Sequence, residues 1–336
     1  MHRVLLDVIS PASSRVLIGR PPCRDRRWLR LAVDFPKDVF IMASILNLLP
    51  GWSHCIVARL IPARRRILKS IRLADDTVAR AGRQHAAVKE ARARGEQVEE
   101  EDTLLNWMLD RRSPNECLPS AMGALQCALT LAAIHTTSMT ALHLIHDLCE
   151  HPEWLPVLRD EVDSLADELG GPSEKPMATT EEWCDRLEKL DSFLVESQLR
   201  NPMTRMAKQD MRLYDGTRVR SGTVLAFAAC EPDEPFDPMR SYRLRRASWP
   251  DQRDGHRAGA AHRANLTFGY GSQACPGRHF AVAEVKLVVA RLLLEFDFKF
   301  LPRQSRPWTF DLNEMVLVNP WAKMLMRRRR TTRRTR

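Results

Sequence analysis

The chain has 336 residues, 44 % hydrophobic and 28 % charged, enough apolar material for one large core or two. Only 14 glycines occur, which excludes a collagen-like repeat, and the apolar fraction is too high for a disordered chain. The net charge of +10 is unevenly placed: residues 326–336 carry seven arginines and no acid, and without them it falls to +3.

Met1 to Arg20 mixes charged and apolar residues and has no signal-peptide core. The eight cysteines stand singly, none at CxxC spacing, which excludes zinc-ribbon and thioredoxin-like readings. Their low density fits a reducing compartment. Arg64 to Arg94 is strongly basic with few breakers and predicts one or two surface helices. An acidic loop, Gly95 to Asp102, follows, and Thr103 to Leu109 resumes an amphipathic pattern.

From Ala121 to Ile145 the chain carries no charged residue, a length that would cross a bilayer. Its Gln126, His135, His143 and several hydroxyls are costly in lipid, so a helix buried through a protein core is the preferred reading. That helix runs on to Cys149. Pro152 opens a charged helix to Leu169, and a loop spans 170–176. Thr179 with Glu182 forms a capping box for a helix predicted to reach Leu199.

Then the character changes. Residues 212–227 read as two short strands around Asp215-Gly216, a hairpin signal. Proline and arginine crowd residues 231–263, which show no periodicity. A helix returns over 276–296, and 298–326 reads as short strands and loops. The predicted class is mainly α with small β-sheets, in one domain over 1–326. The basic tail, 327–336, is predicted to be disordered. Its arginines also suit nucleic acid or anionic lipid, which keeps a nucleic-acid-binding protein open as a different function class.

The most informative segment is Phe268 to Ala281, FGYGSQACPGRHFA. It is a glycine-punctuated loop that presents Cys275 at the start of a helix. A helix N-terminus and unpaired backbone N–H groups favour an anionic sulfur. Gly271 and Gly277 let the backbone approach something flat where a Cβ would collide, and Phe268 supplies an aromatic wall. Such a loop suits a metal held by one thiolate rather than a closed four-ligand cage. A buried, inert cysteine is the ordinary alternative. Against it, the pattern fixes five positions and arises by chance in about one such chain in ten thousand.

This loop resembles the haem-ligand signature of the cytochrome P-450 superfamily. The resemblance implies haem b as cofactor, Cys275 as the proximal iron ligand, and Phe268, Gly271 and Gly277 as its surroundings. Gln273 stands where the family usually has arginine or histidine for a haem propionate, and donates without charge assistance. Ala132-Ala133-Ile134-His135-Thr136-Thr137 resembles the family's oxygen-activation segment. The resemblance implies that Ala133 lies against the haem and that Thr136, with His135, delivers protons. Packing hydroxyls in a buried helix are the bland reading of the same residues.

Ser192 to Pro202 resembles the family helix whose glutamate and arginine form a buried triad with a downstream arginine. Here Leu199 and Arg200 are exchanged, so Glu196 and Arg200 stand four apart, turned by about 100° from the family register. Arg240, in a segment resembling the family's meander, is the third member. Breaking such a pair costs about 3–5 kcal/mol. The resemblance covers nearly the whole chain, with Val4 to Phe40 matching a segment inside the family fold. A P-450-like helical fold lacking its N-terminal part, anchor included, is therefore expected.

AAIHTTS, KLDSFLVESQ and MRSYRLR look like filamentous-fungal members that oxidise terpenoids or other lipophilic secondary metabolites. The implied function is haem-dependent monooxygenation with O2, a lipophilic substrate and an NADPH-dependent reductase, with no nucleic-acid partner. The implied location is cytoplasmic or peripheral to a membrane. The alternative is a degenerate, inactive remnant with impaired haem binding, suggested by the exchanged pair and a shortened meander.

Overall fold

The computed structural model describes residues 1–111, 119–170, 179–199, 203–227, 234–250, 252–263, 265–312 and 315–329. The chain forms two compact units, residues 3–138 and residues 139–336 together with 1–2.

The first unit is helical: α1 (His2–Leu17), α2 (Arg26–Asn47), α3 (His54–Leu60), α4 (Pro62–Ala93), α5 (Leu104–Asp110) and part of α6 (Pro119–Glu150). Asp25 starts α2 by accepting from the Arg27 amide at 2.8 Å. One face of α2, Trp28, Leu31 and Phe35, meets Ala74 and Val78 of α4, Leu105 of α5, and Met122 and Cys127 of α6. Trp28 buries its ring while its Nε1 donates to Ser14 Oγ at 3.0 Å, so the indole brings no unpaired donor into the core. The basic segment is a single helix, α4, whose buried Ala74, Thr77, Val78 and His85 make one stripe. Helix α6 lies close against α4 at Gly123, where a Cβ would meet the Asp75 backbone nitrogen at 2.6 Å. Helix α6 is apolar and long enough to cross a membrane, yet 56 % of its apolar window is buried within the protein, as expected of a core helix.

The second unit holds the rest of α6, α7 (Leu155–Leu169), α8 (Thr180–Arg186), α9 (Glu188–Gln198), α10 (Arg240–Ala247) and α11 (Arg278–Glu295). Helix α11 packs on α7 and α8, and α9 on α7 and α10. Leu158, Val162, Leu190, Phe193, Leu194, Val285, Val289 and Leu293 are fully buried. Four antiparallel pairs complete it. β1 (Met203–Met206) pairs with β4 (Val224–Phe227), β2 (Met211–Arg212) with β3 (Arg218–Val219), β5 (Phe296–Phe300) with β8 (Met324–Arg328), and β6 (Phe310–Leu312) with β7 (Met315–Leu317).

Three sequence expectations need correction. The helix capped by Thr179, whose Oγ1 accepts from the Glu182 amide at 3.2 Å, stops at Arg186 instead of reaching Leu199. Glu161 of α7 accepts from the amides of Lys189 and Leu190 at 2.7 and 3.0 Å, capping a separate helix, α9, from outside. Helix α10 lies in the stretch expected to be irregular. It has almost no apolar stripe and is held by polar contacts: the Tyr242 amide on Ser192 Oγ at 2.8 Å and Arg245 on Asp191. Of the tail expected to be disordered over 327–336, residues 327–329 are ordered, and 330–336 lie outside the described residues. Arg328 pairs with Phe296 in the β5–β8 ladder, and Arg329 holds Asp163 at 3.0 Å and the Leu293 carbonyl at 2.8 Å.

A buried ionic hub ties this unit together. Asp191 is 4 % exposed and accepts from Arg245 (3.2 Å), Lys286 (3.0 Å) and the Ala258 amide (3.0 Å), linking α9, α10 and α11. Asp147, fully buried on α6, accepts from Ser197 Oγ and is paired with Arg306.

Candidate haem-thiolate site

The loop that carries Cys275 takes its shape from two glycines. Gly269 and Gly271 have φ of +78° and +66°, the left-handed region that side chains avoid. A Cβ at Gly269 would also meet Arg205 Nη2 at 3.0 Å and the Gln273 carbonyl at 3.2 Å. The Cys275 amide donates to the Phe268 carbonyl at 2.8 Å, which closes the loop on itself. Gly277 caps α11, so the sulfur lies just before the helix's unpaired amides. Cys275 is exposed, as Cys55 is, whereas Cys23 and Cys127 are buried. It borders a pocket of about 290 Å³ whose walls include Phe268, Gly269, Gln273 and residues 203–205 of β1. At Gly271 and Gly277 an added Cβ would point into open space.

The donor chemistry decides what such a loop can hold. Among the described residues Cys275 belongs to no group of three potential metal ligands. One exposed thiolate beside a glycine-lined face fits a metal whose remaining ligands come from a macrocycle, and does not fit a protein cage. Arg205 escaped the sequence reading because it stands in a different element, seventy residues before Cys275. It brings a cation to the pocket, with Nη1 donating to the Thr204 carbonyl at 2.7 Å.

In the first unit, Thr136 and His135 are adjacent but face different ways. The exposed Thr136 hydroxyl donates back to the Ala132 carbonyl at 2.5 Å, four residues earlier. Ala132 is exposed and Ala133 half-buried beside it. His135 is 7 % exposed and turns to α2, its Nε2 2.9 Å from the Val33 carbonyl. Burial pushes its pKa below the usual histidine range.

The charged residues of the second unit are arranged only partly as expected. Glu196 Oε1 accepts from the Asp237 amide at 3.0 Å and from Arg240 Nη2 at 3.3 Å, so this predicted pair forms. Arg240 is shared with Glu234. Burial raises the Glu196 pKa above the ordinary carboxylate range, opposed by the Asp237 amide and Arg240. Arg200, the other predicted member, lies outside the described residues, and Leu199 ends α9. His146 is 2 % exposed, with its Nδ1 making no hydrogen bond. Burial first, then Arg306 and His143, pushes its pKa down to about 3.

Comparison with known proteins agrees with this geometry. The profile of the cytochrome P-450 family matches residues 60–326. Cytochrome P-450 monooxygenase ATR4 of Stachybotrys chlorohalonatus is 36 % identical over 338 residues, covering 96 % of this chain and 63 % of that protein. An ent-kaurene oxidase of Gibberella intermedia is 32 % identical, covering 97 % of this chain and 61 % of its own length. The crystal structure of the cytochrome P-450DA haem domain superposes with a TM-score of 0.67 at 18 % identity, covering 98 % of this chain and 68 % of that one. The chain belongs to the cytochrome P-450 family, and haem bound through a cysteine thiolate is the cofactor this membership brings. It spans less than two thirds of the length of these two relatives, 63 % and 61 %.

Proposed function

We propose that the protein is a haem-thiolate monooxygenase acting on a lipophilic small molecule, with Cys275 as the iron ligand. One observation carries the proposal: Cys275 is exposed on a glycine-shaped loop beside a pocket and, among the described residues, joins no group of three potential metal ligands. When bound, haem activates O2 with two electrons and two protons, so that one oxygen atom enters substrate and the other leaves as water.

The chain's own residues supply the setting. Cys275 would hold the haem iron through its thiolate, with its amide kept in place by the Phe268 carbonyl. Arg205 would be the charge partner of a haem propionate, for which Gln273 offers only a neutral donor. Ala133 gives a planar group room beside α6. The Thr136 hydroxyl, exposed and hydrogen-bonded to the Ala132 carbonyl, would relay protons in oxygen activation. His135 is a positioning residue, fixing α6 against Val33. Glu196 with Arg240 holds the segment after α9.

The similarity to fungal monooxygenases, among them an ent-kaurene oxidase, supports a terpenoid or other fungal secondary metabolite as the substrate. Electrons come from a separate NADPH-dependent reductase. Exposed Ile41, Ile45, Leu48, Trp52, Ile56 and Leu60, followed by basic Arg64 and Arg65, support a location peripheral to a membrane.

The test is the reduced, carbon monoxide difference spectrum of the haem-reconstituted chain and of Cys275→Ser. A red-shifted Soret band in the unaltered chain, absent from Cys275→Ser, is the expected result. Equal spectra, or no haem uptake, would refute the assignment. A second reading, a chain that keeps haem without turnover, is favoured by the exchanged Leu199 and Arg200. It predicts the same band with reductase-driven NADPH oxidation that yields no product for any terpenoid offered.

A further inference from the structure

Away from Cys275, the first unit gathers His85 of α4, Glu100 of the acidic loop and Asp110 at the end of α5. One donor atom from each lies within 4.8 Å of the other two. His85 is 7 % exposed. Its Nε2 lies 2.7 Å from Asp110 Oδ1, which also accepts from Lys89 Nζ. A carboxylate oxygen that accepts from Lys89 accepts from His85 Nε2 as well, which makes Nε2 the N–H nitrogen of the ring. In the neutral ring Nδ1 is then the lone-pair nitrogen. Nδ1 is buried, makes no hydrogen bond, and faces Glu100 Oε1 at 3.7 Å, beyond hydrogen-bonding reach. Both residues border a cavity of about 60 Å³ that Gln84 and Glu99 also line. The other oxygen of Glu100, Oε2, is held by Arg92.

We propose that His85 Nδ1 and Glu100 Oε1 bind a zinc ion, with Asp110 as the outer carboxylate that orients the imidazole. Two donors about 2.1 Å from one ion, at a tetrahedral angle, sit about 3.4 Å apart, close to the separation here. A metal-bound histidine characteristically donates its other N–H to a carboxylate, and metal-bound carboxylates are themselves hydrogen-bonded; Asp110 and Arg92 occupy those places. Water fills the remaining positions, for which the cavity has room for about two molecules. The nearby Lys89 and Arg92 charges keep the site weak and reversible. The blander alternative is a charged His85 clamped between two carboxylates, which binds no metal.

The experiment titrates zinc into the metal-free full-length chain against a chromophoric chelator. His85→Gln, Glu100→Gln, Asp110→Asn and Cys275→Ser are compared with the unaltered chain. His85→Gln keeps a donor for Asp110 but lacks the Nδ1 lone pair. One saturable equivalent is expected. It should weaken at least about tenfold in His85→Gln and Glu100→Gln, about ten- to a hundredfold in Asp110→Asn, and stay unchanged in Cys275→Ser. Zinc should raise the melting temperature of the unaltered chain and leave that of His85→Gln where it was. Cobalt in the unaltered chain gives a readout that needs no variant, namely visible absorption without an intense thiolate charge-transfer band. Absence of saturable binding, binding indifferent to His85 and Glu100, loss on Cys275→Ser alone, or a thiolate band would each overturn the proposal.

Discussion

Replacing His146 with phenylalanine removes a buried imidazole whose pKa is pushed down to about 3 from its ordinary 6.5. In the unfolded chain this ring takes a proton as pH drops below 6.5, while the folded ring stays neutral until about pH 3. The unfolded state therefore binds more protons over that window. The ring's contribution is fully present above pH 6.5 and is lost as pH falls towards 3. At 1.36 kcal/mol per unit, moving from pH 7 to pH 5 costs the folded state about 2 kcal/mol through this residue alone. Phenylalanine keeps an aromatic ring against Phe300, whose centroid lies 5.8 Å from that of His146, and cannot titrate. The assay is urea unfolding of both chains at the two pH values. The unaltered chain should lose about 2 kcal/mol more than His146→Phe between them. Equal losses would mean that the folded ring takes up a proton near its ordinary pKa and that burial does not control it.

Three further outcomes follow from the same geometry. Asp191→Asn should destabilise by about 3–5 kcal/mol in chemical denaturation, because Lys286 is left buried without its counter-charge and Arg245 keeps only Glu188. Gly269→Ala should cost about 1–2 kcal/mol from the left-handed backbone alone. It should also release haem faster in a transfer assay to apomyoglobin, since the added Cβ meets Arg205 and the Gln273 carbonyl. Thr136→Ala should lower product formation roughly a hundredfold with NADPH oxidation retained, measured as product formed per NADPH, while the Soret spectrum stays unchanged.

The cysteine loop was legible because its constraints are local. Glycine at 269 and 271 answers a backbone demand, and Cys275 with α11 follows within a few residues. The Thr179 cap was legible for the same reason, its donor being the amide of Glu182 three residues on. The break at Leu187 was not, because the carboxylate that starts α9 comes from Glu161, more than two dozen residues upstream. Helix α10 was missed because hydrophobic periodicity is blind to a helix held by Ser192, Asp191 and Glu188. The His85, Glu100 and Asp110 group likewise exists only once α4, the acidic loop and α5 have docked.

The antiparallel β5–β8 pair changes what the arginine-rich end can offer to other molecules. Arg327 pairs with Asp297, Arg328 sits in register with Phe296, and Arg329 reaches Asp163. Two of the seven arginines, Arg327 and Arg329, are thus paired within their own protein, and residues 330–336 lie outside the described residues. A truncation meant to spare the β5–β8 ladder should cut after Arg329. One made at 327 strips two rungs from a sheet, and a lost interaction would then report damage to the fold rather than the absence of a binding tail.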